Sequence, residues 1–193
     1  MGGQLRQRTS HAPQSVPLES TINGRVEVNT IDYFRFAAKQ GQRVIARCDA
    51  REIDSKLEPV LVLNDSAGRE VGRSRSGGLL DYSVRADGEF TLQVHDVTYR
   101  GGQEFFYRLS IGTFPHIDYV MPIASSPKGK FAVFGRNLSG DKVIDEKGKA
   151  LQRIEVDLTT NDSSLTKPLA TMAAQGALDL FEYRVRNERG VSE

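Results

Sequence analysis

The residues of this chain whose types invite chemistry are three histidines, one cysteine and a few tyrosines set among short strands. His95-Asp96 is a pair that metal-assisted hydrolysis could use, but that chemistry needs further ligands presented by helices, and no helical periodicity supplies them. The alternation around it places His95 facing outward on a strand. His11 lies in the N-terminal segment and His116 follows Pro115, so the three do not converge in sequence. No Gly-x-Ser-x-Gly elbow is present to present a nucleophilic serine. Gly135 to Lys142 has the outline of a phosphate-binding loop, but Asp141 stands where the lysine belongs and would repel a phosphate. Cys48 is the only cysteine, which excludes an intrachain disulfide and a thiolate zinc site. The chain is therefore read as non-enzymatic.

Binding is the other chemistry on offer. Tyr33, Tyr82 and Tyr99 are expected to face outward, and tyrosine combines an apolar face with a polar handle. At least two of them, coplanar and exposed, would make a platform for a polysaccharide or a fibrous protein. Otherwise they cover strand edges or pack against a neighbouring domain. Asn64, Asn137 and Asn161 head Asn-x-Ser sequons, which places them in exposed surface loops. The net charge is +1, from 26 basic and 25 acidic residues, so no long-range field attracts a polyanion and nucleic acid is not an expected partner. Arg6 and Arg8 form only a small basic arm. No apolar run reaches the length of a membrane span.

The elements that must position these residues are strands. Phe34 and Phe36 alternate with Tyr33 and Arg35; Val44, Ala46 and Cys48 with Arg43, Ile45 and Arg47; Phe90, Leu92 and Val94 with Thr91, Gln93 and His95. Tyr107, Leu109 and Ile111 alternate with Phe106, Arg108 and Ser110. A period of two puts one face of each strand on a core and the other in water. Pro59 to Leu63 is apolar on both faces, which predicts a central strand. Turn signals separate the runs: Lys39-Gln40-Gly41, Asn64 to Gly68, Ala86-Asp87-Gly88 and Arg100-Gly101-Gly102, each expected to supply a residue that tolerates positive φ. The expected fold is an all-β, jelly-roll-like antiparallel β-sandwich followed by a second, smaller β-sandwich-like domain. Residues 1–18 read as a flexible arm or linker, 19–113 as the sandwich and 114–193 as a partial second domain with the boundary at Phe114-Pro115. Residues 164–178 read as a helical turn or two, or as an irregular loop.

The start, Met1-Gly2-Gly3-Gln4, has no apolar h-region, so no signal peptide is expected in this segment. The chain reads as a piece of a longer protein.

Gly24-Arg25-Val26-Glu27-Val28 leading to Asp32-Tyr33-Phe34-Arg35-Phe36, then Gly41-Gln42-Arg43-Val44, resembles the opening of the bacterial pre-peptidase C-terminal domain. Ser55 to Asp65 with Gly68 resembles its middle. Ala86 to Asp96, Gly101-Gly102 and Tyr107 to Ile111 resemble its end. The match spans residues 20–113, and the stretches Arg51–Pro59 and His95–Pro115 are most similar to large exported proteins of planctomycete-type bacteria. Lys130 to Leu138 and Tyr183 to Ser192 resemble strands of an immunoglobulin-like, transcription-factor-type module.

The first resemblance implies an accessory module appended to secreted or cell-surface proteins, often peptidases. It would contact an extracellular polysaccharide or protein, or neighbouring domains of its parent. The alternative is a cleavable pro-segment or a secretion and targeting module of an exported hydrolase. The resemblance also implies calcium near Asp32, with Asn29 and Glu19 as further oxygen ligands. Calcium takes six to eight oxygens, and the family's acidic linker is replaced here by Ser15 to Ser20, so the site is expected to be degraded and no cofactor is assigned.

Overall fold

The computed structural model describes residues 9–10, 12–75, 78–122, 128–144, 150–159, 166–168, 179–181, 184–188 and 190–191. Arg6, Arg8, His11, Asn161, Tyr183 and most of 164–178 lie outside them. The chain divides into two compact units, Met1–Thr113 and Phe114–Glu193.

The described part of the first unit contains β1 (Thr9–Ser10), β2 (Gln14–Ser15), β3 (Ser20–Arg25), β4 (Thr30–Ala38), β5 (Arg43–Asp49), β6 (Pro59–Asn64), β7 (Glu70–Ser74), β8 (Leu79–Ser83), β9 (Gly88–Asp96) and β10 (Phe106–Gly112). One sheet runs β1–β4–β9–β6–β7, with β2 also on β4, and the other runs β3–β10–β5–β8. The fold is an all-β sandwich. The period-two pattern does the work: Phe34, Phe36, Phe90, Leu92 and Val94 point from the first sheet, and Val44, Ala46, Tyr107, Leu109 and Ile111 from the second, into one core. Each of the Val, Leu, Ile and Phe side chains among them contributes about 2 kcal/mol by leaving water. Rings interlock there, with Phe36 stacked on Phe90 at 6.0 Å and Phe34 edge-on to Tyr107 at 6.5 Å. β6 lies between β9 and β7, and Val60 to Leu63 are buried on both faces.

Two expectations about the backbone of this unit need correction. The segment read as a free arm is tied to the sandwich where it is described. β1 and β2 pair parallel to β4, Val16 N–H donates to the Arg35 carbonyl at 2.9 Å, and Val16 and Leu18 pack on the core. Because β9 takes only one edge of β4, the other edge has backbone groups to satisfy, and the preceding chain satisfies them. The turn at Ala86 to Gly88 contains no residue of positive φ; instead the Asp87 carboxylate accepts the Gln40 N–H at 2.7 Å. Gly68, with φ +77°, does close the Asn64–Gly68 turn in the left-handed region.

The second unit contains β11 (His116–Met121), β12 (Lys128–Arg136), β13 (Asp141–Ile144) and β14 (Ala150–Thr159), ordered β11–β12–β14–β13 and antiparallel throughout. Two short ladders join β15 (Thr166–Pro168) to β16 (Asp179–Phe181) and β17 (Arg186–Asn187) to β18 (Gly190–Val191). Val133, Leu138 and Val185 form its core, with Ile117, Val120, Ile154 and Val156 against them. Asn137, read as the head of an exposed sequon, is buried: its Nδ2 donates to the Phe114 carbonyl at 3.3 Å, and its own carbonyl accepts from Asn187 Nδ2 at 2.9 Å. Gly135 to Lys142 runs from one strand through a turn to the next, with no helix N-terminus to hold a phosphate.

Candidate functional site

The face of the first sheet that turns away from the core carries a polar groove. Register builds it. Tyr33 of β4 lies opposite Gln93 of β9, Arg35 opposite Thr91, and Thr91 opposite Asn64 of β6. These five outward residues, with Pro13, Glu89 and the turn after Asn64, line a groove of about 470 Å³. Its floor is ordered by side-chain hydrogen bonds. Gln93 Nε2 donates to Asn64 Oδ1 at 2.9 Å, and Asn64 Nδ2 donates to the Gly68 carbonyl at 2.9 Å. The wall is rigid as well, since Asp65 Oδ1 accepts the Ala67 and Arg69 amides at 3.0 Å and Oδ2 accepts Arg69 Nε at 2.9 Å. These bonds, the Arg69 amide first, hold the Asp65 carboxyl below the usual carboxylate range.

A second cavity, of about 650 Å³, opens beside β3 and β4 and is lined by Asn23, Gly24, Arg25, Asp32, Tyr33 and Tyr107 among others. At its base Tyr107 Oη donates to Asp32 Oδ2 at 2.7 Å. Burial pushes the Tyr107 phenol up, and the bond to the Asp32 carboxylate pushes it further.

The three residues expected to share calcium are not brought together. Glu19 precedes β3 and Asn29 follows it, a six-residue strand that separates them by about 20 Å. Glu19 Oε1 accepts the Thr113 amide and hydroxyl at 2.7 and 2.8 Å, Asn29 sits in the turn before β4 with φ +61°, and Asp32 carries Tyr107. Among the described residues no group of three or more His, Cys, Asp or Glu is placed to hold a metal ion. The residues present do not fit the ion.

The three tyrosines do not make one platform either. Tyr82 belongs to β8 of the other sheet and turns its ring to Phe90, 5.8 Å away. Tyr99 lies flat on His95, with ring centroids 4.5 Å apart and planes at 2°. Tyr33 alone reaches the groove.

His95, expected in water, is buried. Its Nδ1 lies 2.9 Å from the Asp96 carbonyl, which only accepts, so that nitrogen carries the proton. The cover over it is the loop after β9, folded by Asp96. Asp96 is fully buried and accepts from the amides of Glu58, Thr98 and Arg100, the Thr98 hydroxyl and the Arg100 guanidinium. Burial opposes its charge, yet these bonds, Arg100 foremost, hold its carboxyl well below the usual range. His95-Asp96 is thus a structural pair. Asp followed by Thr two residues on is the Asx-turn signature that announces such a loop in sequence. His116 opens β11 in the other unit.

No family model and no curated protein matches the chain. Solved structures do. The pre-peptidase C-terminal domain of a collagenase from Bacillus anthracis is 14% identical, with 55% of this chain and 97% of that one covered and a TM-score of 0.42. The Aeromonas hydrophila PliG, a periplasmic lysozyme inhibitor of g-type lysozyme, is 15% identical over 53% of this chain and 99% of its own, also at 0.42. A glycosyl hydrolase family 2 member from Bacteroides cellulosilyticus is 15% identical over 66% of this chain and 22% of its own, at 0.28.

The groove residues other than Tyr33 are not chemically conspicuous in sequence. Arg35, Thr91 and Gln93 were legible as outward residues of alternating strands, but nothing local marks them as neighbours. Among the described residues, no helix is long and apolar enough to cross a membrane.

Proposed function

We propose that this chain is a non-catalytic binding module of a larger secreted or cell-surface bacterial protein, contacting an extracellular polymer through the outer face of its first sheet. One observation carries the reading: the groove over β4, β9 and β6 is open, and its polar floor is held in one arrangement by the Gln93–Asn64–Gly68 hydrogen bonds. A pre-ordered open surface favours association without conformational cost. The acidic residues with the most elaborate hydrogen bonding, Asp65 and Asp96, are committed to building loops, so their perturbed carboxyls serve the fold.

Co-sedimentation with insoluble polysaccharides and with collagen-type fibres tests the reading. Retention on at least one polymer, saturable with protein concentration, is expected. Recovery of all protein in the supernatant with every polymer would refute it.

A further inference from the structure

We propose that the groove floored by Tyr33, Thr91, Gln93 and Asn64 is a binding site for a neutral polysaccharide, an inference that rests on the binding-module reading.

The lining chemistry selects the ligand. Tyr33 is half-exposed on the groove floor, and among the described residues its hydroxyl has no hydrogen-bond partner and its ring no stacking partner. A phenol ring of this kind takes the apolar C–H face of a pyranose while its hydroxyl meets a polar edge. Around it stand two carboxamides and a hydroxyl, groups that both donate and accept. Sugar hydroxyls do the same. The Gln93 and Asn64 amides are orientated in series from the Gly68 carbonyl, which leaves Gln93 Oε1 as an acceptor and the second hydrogen on Nε2 as a donor toward the groove.

Two other occupants fit less well. An extended peptide docks on a sheet by adding backbone hydrogen bonds to a free edge. Here β9 is bonded to β4 and β6, and β6 to β9 and β7, so the floor strands have no edge to lend. A polyanion needs several free cations. The groove offers Arg35 with Glu89 beside it, while Asp65 is paired with Arg69 on the wall.

Native gel electrophoresis of the full chain through hydroxyethylcellulose, galactomannan, soluble starch, polygalacturonate or gelatin tests the assignment. At least one of the three neutral polysaccharides should retard the protein. Tyr33→Ala should weaken that retardation roughly tenfold or more, as removal of a central aromatic contact does. Ser66→Trp is the second variant: Ser66 is exposed on the groove wall, so an indole there fills the groove without touching the core. It should abolish retardation with an unchanged melting temperature, and Tyr119→Ala in the other unit should leave retardation intact. Absence of retardation by all three neutral polysaccharides overturns the proposal, as does retardation that survives Ser66→Trp. Retardation by gelatin or polygalacturonate alone overturns this ligand class and leaves the binding-module reading standing. Failure of every probe, together with the co-sedimentation result, counts against both.

Discussion

Tyr107 Oη donates to Asp32 Oδ2 at 2.7 Å, joining β10 of one sheet to β4 of the other across 75 positions of sequence. Tyr107 is also among the largest fully buried side chains of the core. One residue therefore packs the sandwich and ties its two layers with a hydrogen bond to a carboxylate.

Tyr107→Phe keeps the ring and removes the bond, which should lower stability by about 2 kcal/mol, the size of a hydrogen bond to a charged group. The effect depends on alkaline pH with a defined sign. Burial, then Asp32, raises the folded-state pKa, so the stabilisation is complete below the ordinary phenol value of about 10 and is lost as the pH climbs past it. Urea unfolding between about pH 8 and 11 should show that decline in the wild type and a shallower one in Tyr107→Phe. Parallel profiles would contradict the assignment.

Asp96 predicts the acid limb. Its carboxyl is depressed in the fold, so its contribution is present above the ordinary value of about 3.9 and disappears as the pH falls below it. Asp96→Ala leaves the Glu58, Thr98 and Arg100 amides without their acceptor and should cost about 3 kcal/mol at neutral pH. Tyr99 would lose its seat on His95, which hydrogen exchange over residues 96–102 should report as faster exchange.

Glycine substitutions separate close approach from mere flexibility. A Cβ on Gly24 would overlap the Tyr107 ring, and one on Gly101 would overlap the Glu27 backbone. Gly24→Ala and Gly101→Ala should each destabilise by about 2 kcal/mol or more, since a Cβ on Gly24 displaces the Tyr107 ring from its bond to Asp32 and one on Gly101 meets backbone atoms. Nothing lies within 4 Å of a Cβ on Gly88, so Gly88→Ala should change stability by less than about 0.5 kcal/mol. Thermal melts of the three variants make the comparison.

Cys48 is buried, and burial, with Asp49 and Glu52 adding to it, pushes its thiol up. Since the thiolate is the reactive form, the native protein should not react with an aromatic disulfide reagent at about pH 8 and should titrate one thiol once unfolded in guanidinium. Rapid reaction in the native state would show that the strand pair around β5 opens readily.

By itself the sequence determined which side of each strand meets the core. Strand geometry has a period of two, so Phe34 and Phe36, Phe90 to Val94 and Tyr107 to Ile111 declare their faces through neighbours one and two positions away. It also declared Tyr33 outward and the Asn64–Gly68 turn closed. Only the tertiary structure decided what those outward residues share, because cross-strand neighbours are set by register and register by long-range pairing. Tyr33 meets Gln93, and Asn64 meets Thr91, through ladders that no local pattern encodes. Two shorter-range features also needed the three-dimensional structure: His95 is buried because Tyr99 stacks on it from the loop that Asp96 folds, and Glu19 is parted from Asn29 because β3 lies between them.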